Sequence, residues 1–416
     1  MSNSSFYFSS DSIRQKISFW CSALILASIF CSRFCITLGM IGLIANAVVH
    51  PNISNHFKSF FKDHLTWLLT AIFFITLLGY FQSDNVGYWA ERVRVKLPFL
   101  ILPFAISNLF PIDKKHFNKL IFIFWISIVL YSIYSVCHFI FHYHLVVQSY
   151  AAAQTLWTPK DHIRFSLAVA CCVWLGIYLY RVEFYLKYPS EKYFYFFISL
   201  LLIIYLHILS VRSGLLGFYL SAIYFIFYFL LIKKQWKHAL VASVVAIAIC
   251  GIAIFSSPTI ATKIGYMRYD IGEYLNGKNV QGKSDAGRLM SQEMGWDVLK
   301  NNILMGVGIG DVQDEVKKQY AALHPEIEDS QRFEPHNQFL FTAVGVGVLG
   351  AAFVFVAILL IFFQHKNYRK WIVSCVFIIM LSSFISETTL EIQIGTTLFL
   401  FLILLLHYQF KTLNEI

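Results

Sequence analysis

The chain has 416 residues, of which 58% are hydrophobic and only 13% charged, with a mean hydropathy of +0.63. An ordinary soluble domain carries roughly twice that share of charge. Such numbers exclude a soluble globular protein, a disordered chain, a coiled coil and a secreted disulfide scaffold. The formal net charge of +10 admits a nucleic-acid partner on composition alone, but its distribution along the chain assigns it elsewhere, as shown below.

Apolar blocks recur at the length needed to cross a hydrocarbon core of roughly 30 Å. In chain order they fall at 17–32, 34–50, 65–81, 96–110, 118–141, 163–181, 193–211, 214–232, 238–256, 336–363, 370–388 and 392–410. The pattern predicts an all-α integral membrane protein with about twelve spans. Residues 1–256 hold spans one to nine, 257–335 form a long polar loop, and 336–416 hold spans ten to twelve. The fourth block is short and contains Pro98 and Pro103, so a kink or tilt is expected there. No cleavable leader is expected, because the first apolar block follows a polar start and runs straight into the second. The eight cysteines lie in or beside apolar blocks without metal or redox spacing and read as small apolar residues.

An even number of spans puts both termini on one side, and the basic residues choose which. With the termini cytoplasmic, seventeen of the 33 Lys and Arg residues lie in inner segments and seven in short outer ones. The other nine sit in 257–335, which is too long to count. The basic balance is therefore a topology signal, not a mark of nucleic acid.

The loop 257–335 carries twelve acidic residues and is expected outside. Two amphipathic helices can be drawn in it. One runs from about Ala286 to Asn301. The other runs from about Val312 to Leu323, with Asp311 as its cap and His324-Pro325 as its stop. Together they predict a helical lid over the outer membrane face.

Three short segments on the outer side carry candidate chemistry. Ser210-Val211-Arg212-Ser213-Gly214 is a tight hairpin that places an arginine at a membrane edge, where it either binds an anion or snorkels to headgroups. Ser284-Asp285-Ala286-Gly287-Arg288 opens the first lid helix. A helix N-terminus beside a guanidinium suits an anion, although Asp285 can equally cap the helix and pair with Arg288. Glu334-Pro335-His336-Asn337 marks the return to the membrane, with His336 in the first turn of the next span. There the positive helix end favours a neutral ring able to accept a proton. The blander alternative is a capping histidine at the interface. Gly306-Val307-Gly308-Ile309-Gly310 lacks the Lys-Ser/Thr of a phosphate loop and reads as the turn closing the first lid helix. No metal-ligand motif or nucleophile elbow occurs, so no metal or other cofactor is expected.

Taken in order, S-V-R-S-G, D-A-G-R, N-N-I-L-M-G-V-G-I-G and P-H-N-Q-F-L on a many-span chain resemble the O-antigen ligase family, which shares its core with O-antigen polymerases and protein-targeting oligosaccharyl ligases. The motifs are specific over about 205–350. Asp161 to Leu167 and Ser386-Glu387 to Gln393 are similar to outer-edge segments of that family. The resemblance implies a GT-C-like, metal-independent glycosyltransferase of lipopolysaccharide biosynthesis. Such an enzyme moves a glycan from undecaprenyl diphosphate to a sugar hydroxyl of lipid A–core on the periplasmic face, with inversion. Arg212 and Arg288 match the family's donor-diphosphate arginines, His336 matches the histidine that activates the acceptor, and Asn337 matches a neighbouring motif position. Ser210, Asp285 and Glu334 are supporting residues. A polymerase of O-antigen or exopolysaccharide, or a protein O-oligosaccharyltransferase, needs the same donor and remains open.

The reading from another class is a polysaccharide transporter without chemistry. Glu387 and Glu391 stand four residues apart and share a face if helical, as coupling carboxylates often do. Midplane charges and inverted repeats, the usual transporter signs, are absent from the sequence.

Overall fold

The computed structural model describes residues 4–107, 113–143, 156–256, 258–276 and 284–412. All regular structure among these residues is helical. The helices are α1 Ser4–Ser28, α2 Arg33–Val48, α3 Ile53–Lys62, α4 His64–Leu78, α5 Val86–Ser107, α6 Lys114–Phe141, α7 His162–Arg181 and α8 Glu191–Leu209. They continue as α9 Arg212–Phe227, α10 Trp236–Ser256, α11 Pro258–Leu275, α12 Ser284–Asn301, α13 Val312–Leu323, α14 Gln338–Phe363, α15 Trp371–Ser386 and α16 Gln393–Thr412.

Every apolar block expected to span falls on a helix. By length and composition, however, seven helices among the described residues are able to cross a membrane, or up to eight if α2 and α3, bent by 107° at their junction, form one span. Among the helices outside that number, α15 is apolar but short, and α5 carries Glu91, Arg92, Arg94 and Lys96 before its prolines.

α7 and α16 form the centre of the bundle. From Leu398 to Leu406 every side chain of α16 is fully buried, and Cys171, Cys172 and Leu175 of α7 are equally enclosed. α9, α15 and α8 pack around α7, and α5 packs on α16. The approach of α9 to α7 depends on Gly214, where a Cβ would lie 2.6 Å from Ser166 Oγ. α10 lies at the edge, with Val241, Val244 and Ile247 facing outward. The described cysteines are free thiols, as expected from their spacing; the Cys250 side chain lies outside the described residues.

Between α10 and α14 the structure contains three helices rather than the expected two, since α11 precedes the amphipathic pair. α12 and α13 bury Met290, Met294, Val298, Val312, Val316 and Tyr320 against Leu340, Phe341 and Val344 of α14. The glycine-rich turn after α12 does more than close that helix. Val307 and Gly308 donate backbone hydrogen bonds to Val344 and Gly345 at 2.8 and 3.1 Å. α14 breaks to receive them at Gly347, whose φ of 72° and ψ of 171° are open to glycine. A Cβ there would stand 2.0 Å from the Leu304 carbonyl oxygen. Asp311 is not the side-chain cap that its position suggests. Its carboxylate instead accepts the Asp84 and Asn85 amides, both at 2.8 Å, which ties α13 to the α4–α5 connection.

Candidate functional site

One end of the bundle collects nearly all the buried charge. α9 begins there after Ser210, whose left-handed backbone (φ 51°) turns the chain sharply and whose hydroxyl donates to the His207 carbonyl at 2.5 Å. This turn projects Arg212, which pairs with Asp285 at the start of α12. The alternative pairing of Asp285 with Arg288 is not formed. One turn further along α12, Arg288 instead meets Glu387 at 2.8 Å.

His336 is not in the first turn of α14. It precedes the cap, and Asn337 is the capping residue, accepting the Phe339 and Leu340 amides while donating to the Ile385 carbonyl at 3.2 Å. The imidazole is nevertheless uncharged at neutral pH. Burial, then the charges of Arg288 and Arg164, lower its pKa to about 4.

Its orientation is set by Ser291. The Ser291 hydroxyl donates to the Arg288 carbonyl at 2.8 Å, so its oxygen is left to accept. His336 offers both its backbone N–H and Nδ1 to that oxygen, each at 3.2 Å. Nδ1 therefore carries the proton and Nε2 keeps the lone pair, the tautomer of a base. Phe333 stands edge-on to the ring at 5.6 Å.

His336 and Arg288 line a cavity of about 700 Å³ together with Arg164, Lys160, Arg33 and Glu387. Arg212 pairs with Asp285 on the helix that also carries Arg288, but neither Arg212 nor Asp285 is part of that wall. Ser210 and Asn337 act on the backbone, as a turn and a cap.

Arg164 and Glu387 are the site residues that motif reading did not assign. Glu387 sits between Arg288 and Arg164, the second at 3.8 Å. Arg164 also reaches Asp161 at 3.3 Å and the Thr388 carbonyl at 3.2 Å. Burial raises the Glu387 pKa against the opposing pull of Arg288 and Arg164. An arginine opening a wholly apolar helix was the signal for Arg164. Glu387 and Glu391 do not share a helix face. Glu387 is extended just beyond α15, and Glu391 lies in the 3-10 turn Thr389–Glu391. Glu391 is held by Lys96 at 2.5 Å and Gln338 at 2.8 Å. Glu334 accepts the Tyr88 hydroxyl, and burial raises its pKa.

Among the described residues one group, Asp63, His365 and His407, has the composition of a metal site, at the opposite end of the bundle. The surrounding bonds do not suit a cation. Asp63 is already taken by Lys411 at 2.6 Å, Tyr408 at 3.1 Å and Gln364 at 2.9 Å. Asn367 donates to His407 Nδ1 at 2.6 Å, which occupies that nitrogen and puts the ring proton on Nε2.

No curated protein matches the sequence significantly. The family model described as O-antigen ligase matches residues 196–355, from within α8 to within α14, a stretch that holds Arg212, Asp285, Arg288, Ser291, Glu334 and His336. The motifs, the helical membrane architecture and this match together support the O-antigen ligase family for this chain.

Proposed function

We propose that the protein is a membrane glycosyltransferase that moves a glycan from undecaprenyl diphosphate to a hydroxyl of lipid A–core on the periplasmic side of the inner membrane. The observation that carries this reading is the neutral His336 beside Arg288 and Arg164 in one cavity. In this reading the chain crosses the membrane about twelve times with both termini cytoplasmic. Residues 257–335 form the lid, and the fold is GT-C-like.

The acceptor hydroxyl oxygen attacks the anomeric carbon from the side opposite the diphosphate. The new C–O bond forms as the bond to the phosphate oxygen breaks with its electrons, and the hydroxyl proton passes to His336 Nε2. Inversion follows from that geometry. Base catalysis of this kind contributes about 10²–10⁴ in rate. The leaving diphosphate gains negative charge, which guanidinium groups stabilise through paired hydrogen bonds without ever deprotonating. Arginines in these places do the work assigned to a metal in other transferases.

Asp285 and Glu387 pair with Arg212 and Arg288. A diphosphate entering the site takes over these guanidinium groups. Glu387, disposed to protonate by its burial, is the partner more easily released.

The test is reconstituted transfer from a defined prenyl-diphosphate oligosaccharide, offered lipid A–core, a second donor molecule, or a periplasmic protein. Product on lipid A–core that is lost in His336→Ala is the expected result. Elongated donor would make the enzyme a polymerase, and glycosylated protein a protein ligase. Translocation of the donor without bond cleavage would refute the enzyme reading.

A further inference from the structure

A second cavity, of about 800 Å³, lies between α2 and α5 and shares Arg33, Thr388 and Ile392 with the cavity of His336. Its rim is charged and its wall is apolar. The rim holds Arg33, Arg92 and Arg94 with Glu91, Glu334 and Glu391. Most of these charges already have partners. Arg92 faces Glu91 and Glu391, Arg94 faces Glu91, Glu391 is held by Lys96, and Glu334 accepts from Tyr88. Arg33 is the exception, since it forms no ion pair among the described residues, whereas Arg92, Arg164, Arg212 and Arg288 all do. It is also the basic residue common to both cavities.

Below the rim, Met40 and Ile41 of α2 face Val95, Leu97, Pro98 and Ile101 of α5. From Arg33 to Ile41 this wall descends ~12 Å at the α-helical rise. The wall opens to the outside of the bundle along Phe34 and Ile41, which are 74% and 54% exposed. A channel with a cation at the top that has no ion pair among the described residues, an apolar floor and a side opening complements an anionic head on a long apolar chain. A soluble sugar would leave that floor uncovered.

We propose that this groove seats the donor's polyprenyl chain, with Arg33 at the shared wall holding its diphosphate as the glycan enters the cavity of His336. The proposal rests on the donor class given above. It assigns substrate binding to α2 and α5, outside residues 196–355. It also explains why two cavities meet at one arginine, because the reacting bond lies between the lipid phosphate and the sugar.

The experiment uses the full chain in nanodiscs of phosphatidylethanolamine and phosphatidylglycerol, with a polyprenyl diphosphate bearing a benzophenone on its tail. Adducts are mapped by mass spectrometry, and transfer is measured on the same preparation. Adducts within 34–41 and 95–101 are expected, removed by unlabelled polyprenyl diphosphate. Arg33→Gln should reduce labelling about tenfold, the loss of one charge-assisted hydrogen bond. Ile41→Trp, at a position already facing outward, should reduce it by filling the groove while Arg33 remains. Adducts elsewhere with transfer intact would overturn the groove and leave the proposed function standing. Equal competition by phosphatidylglycerol would also overturn it, making this an ordinary lipid contact. Neither adducts nor transfer would overturn both.

Discussion

Both ends of the bundle bury charge, one carboxylate at the Asp63 end and several charged groups at the other, and they use it differently. At the Asp63 end, the carboxylate caps α4 by accepting the Leu65 amide and also accepts from Lys411, Gln364 and Tyr408. Burial alone would raise its pKa, but the Lys411 and Gln364 hydrogen bonds outweigh this and hold it at about 2. At the other end the balance reverses. Glu334 and Glu387 are raised by burial, and Arg92 Nε, Arg164 Nε and Glu391 Oε2 have no hydrogen-bond partner among the described residues. Buried polar atoms are rarely left unpaired without a reason. At the Asp63 end Gln364 Oε1, Asn367 Oδ1 and His407 Nε2 also lack a partner among the described residues, but the carboxylate itself is fully engaged and clasps α4, α14 and α16, whereas the His336 end holds charge in reserve beside two cavities.

That contrast can be broken most sharply by removing reserve charge. His336→Ala should lower the transfer kcat by about 10²–10⁴, and Arg212→Ala or Arg288→Ala by about 10²–10³, with folding retained. Full activity in either arginine variant, measured in the reconstituted assay, would remove the diphosphate role from that residue. Glu387→Gln keeps the shape but frees Arg288 and Arg164. It should change transfer by about tenfold or less and tighten the binding of inorganic diphosphate, measured by calorimetry.

Asp63→Asn should cost about 1–2 kcal/mol of stability, a modest figure because Lys411 is partly exposed. Transfer per folded molecule should be unchanged, which a melting curve and an activity assay would separate. A loss of activity without a loss of stability would show that the clasp communicates with the site.

The smallest effects are in pH dependence. His336 is neutral in the fold down to about 4, against an ordinary value near 6.5. The unfolded chain therefore binds the extra proton first, and stability declines as pH falls from about 6.5 to about 4. Asp63, held at about 2, contributes stability above its ordinary value near 3.9, and this is lost as pH falls from about 4 towards 2. His336→Gln should flatten the upper window of a melting-temperature profile and Asp63→Asn the lower one. The His336 contribution to kcat/KM should stay flat between pH 7 and 5, since the base is already deprotonated. A fall there with a midpoint near 6.5 would mean an unburied histidine.

Much of the site was legible because its chemistry is local. Ser210 to Gly214 reads as a tight turn from its composition, Asp285 and Arg288 lie one helical turn apart, and Pro335-His336-Asn337 stands at an apolar boundary. The pairings were not legible. Asp285 chooses Arg212 over the nearer Arg288 because the α8–α9 turn brings the distant guanidinium to it. Asp311, a plausible cap, spends its carboxylate on Asp84 and Asn85. Glu387 and Glu391 separate because the chain leaves the helix at Glu387.

By itself the sequence determined that this is a helical membrane protein, where the apolar helices lie, and which three motifs carry the resemblance. Hydropathy and turn chemistry act within a few residues of chain, so a linear reading captures them. Only the tertiary structure decided that Ser291 orients His336, that Arg164 and Glu387 join it, and that Arg33, without an ion pair among the described residues, stands where two cavities meet. Those facts depend on which helix ends converge, and convergence comes from the packing of α2, α5, α7, α12 and α14, which no local pattern encodes.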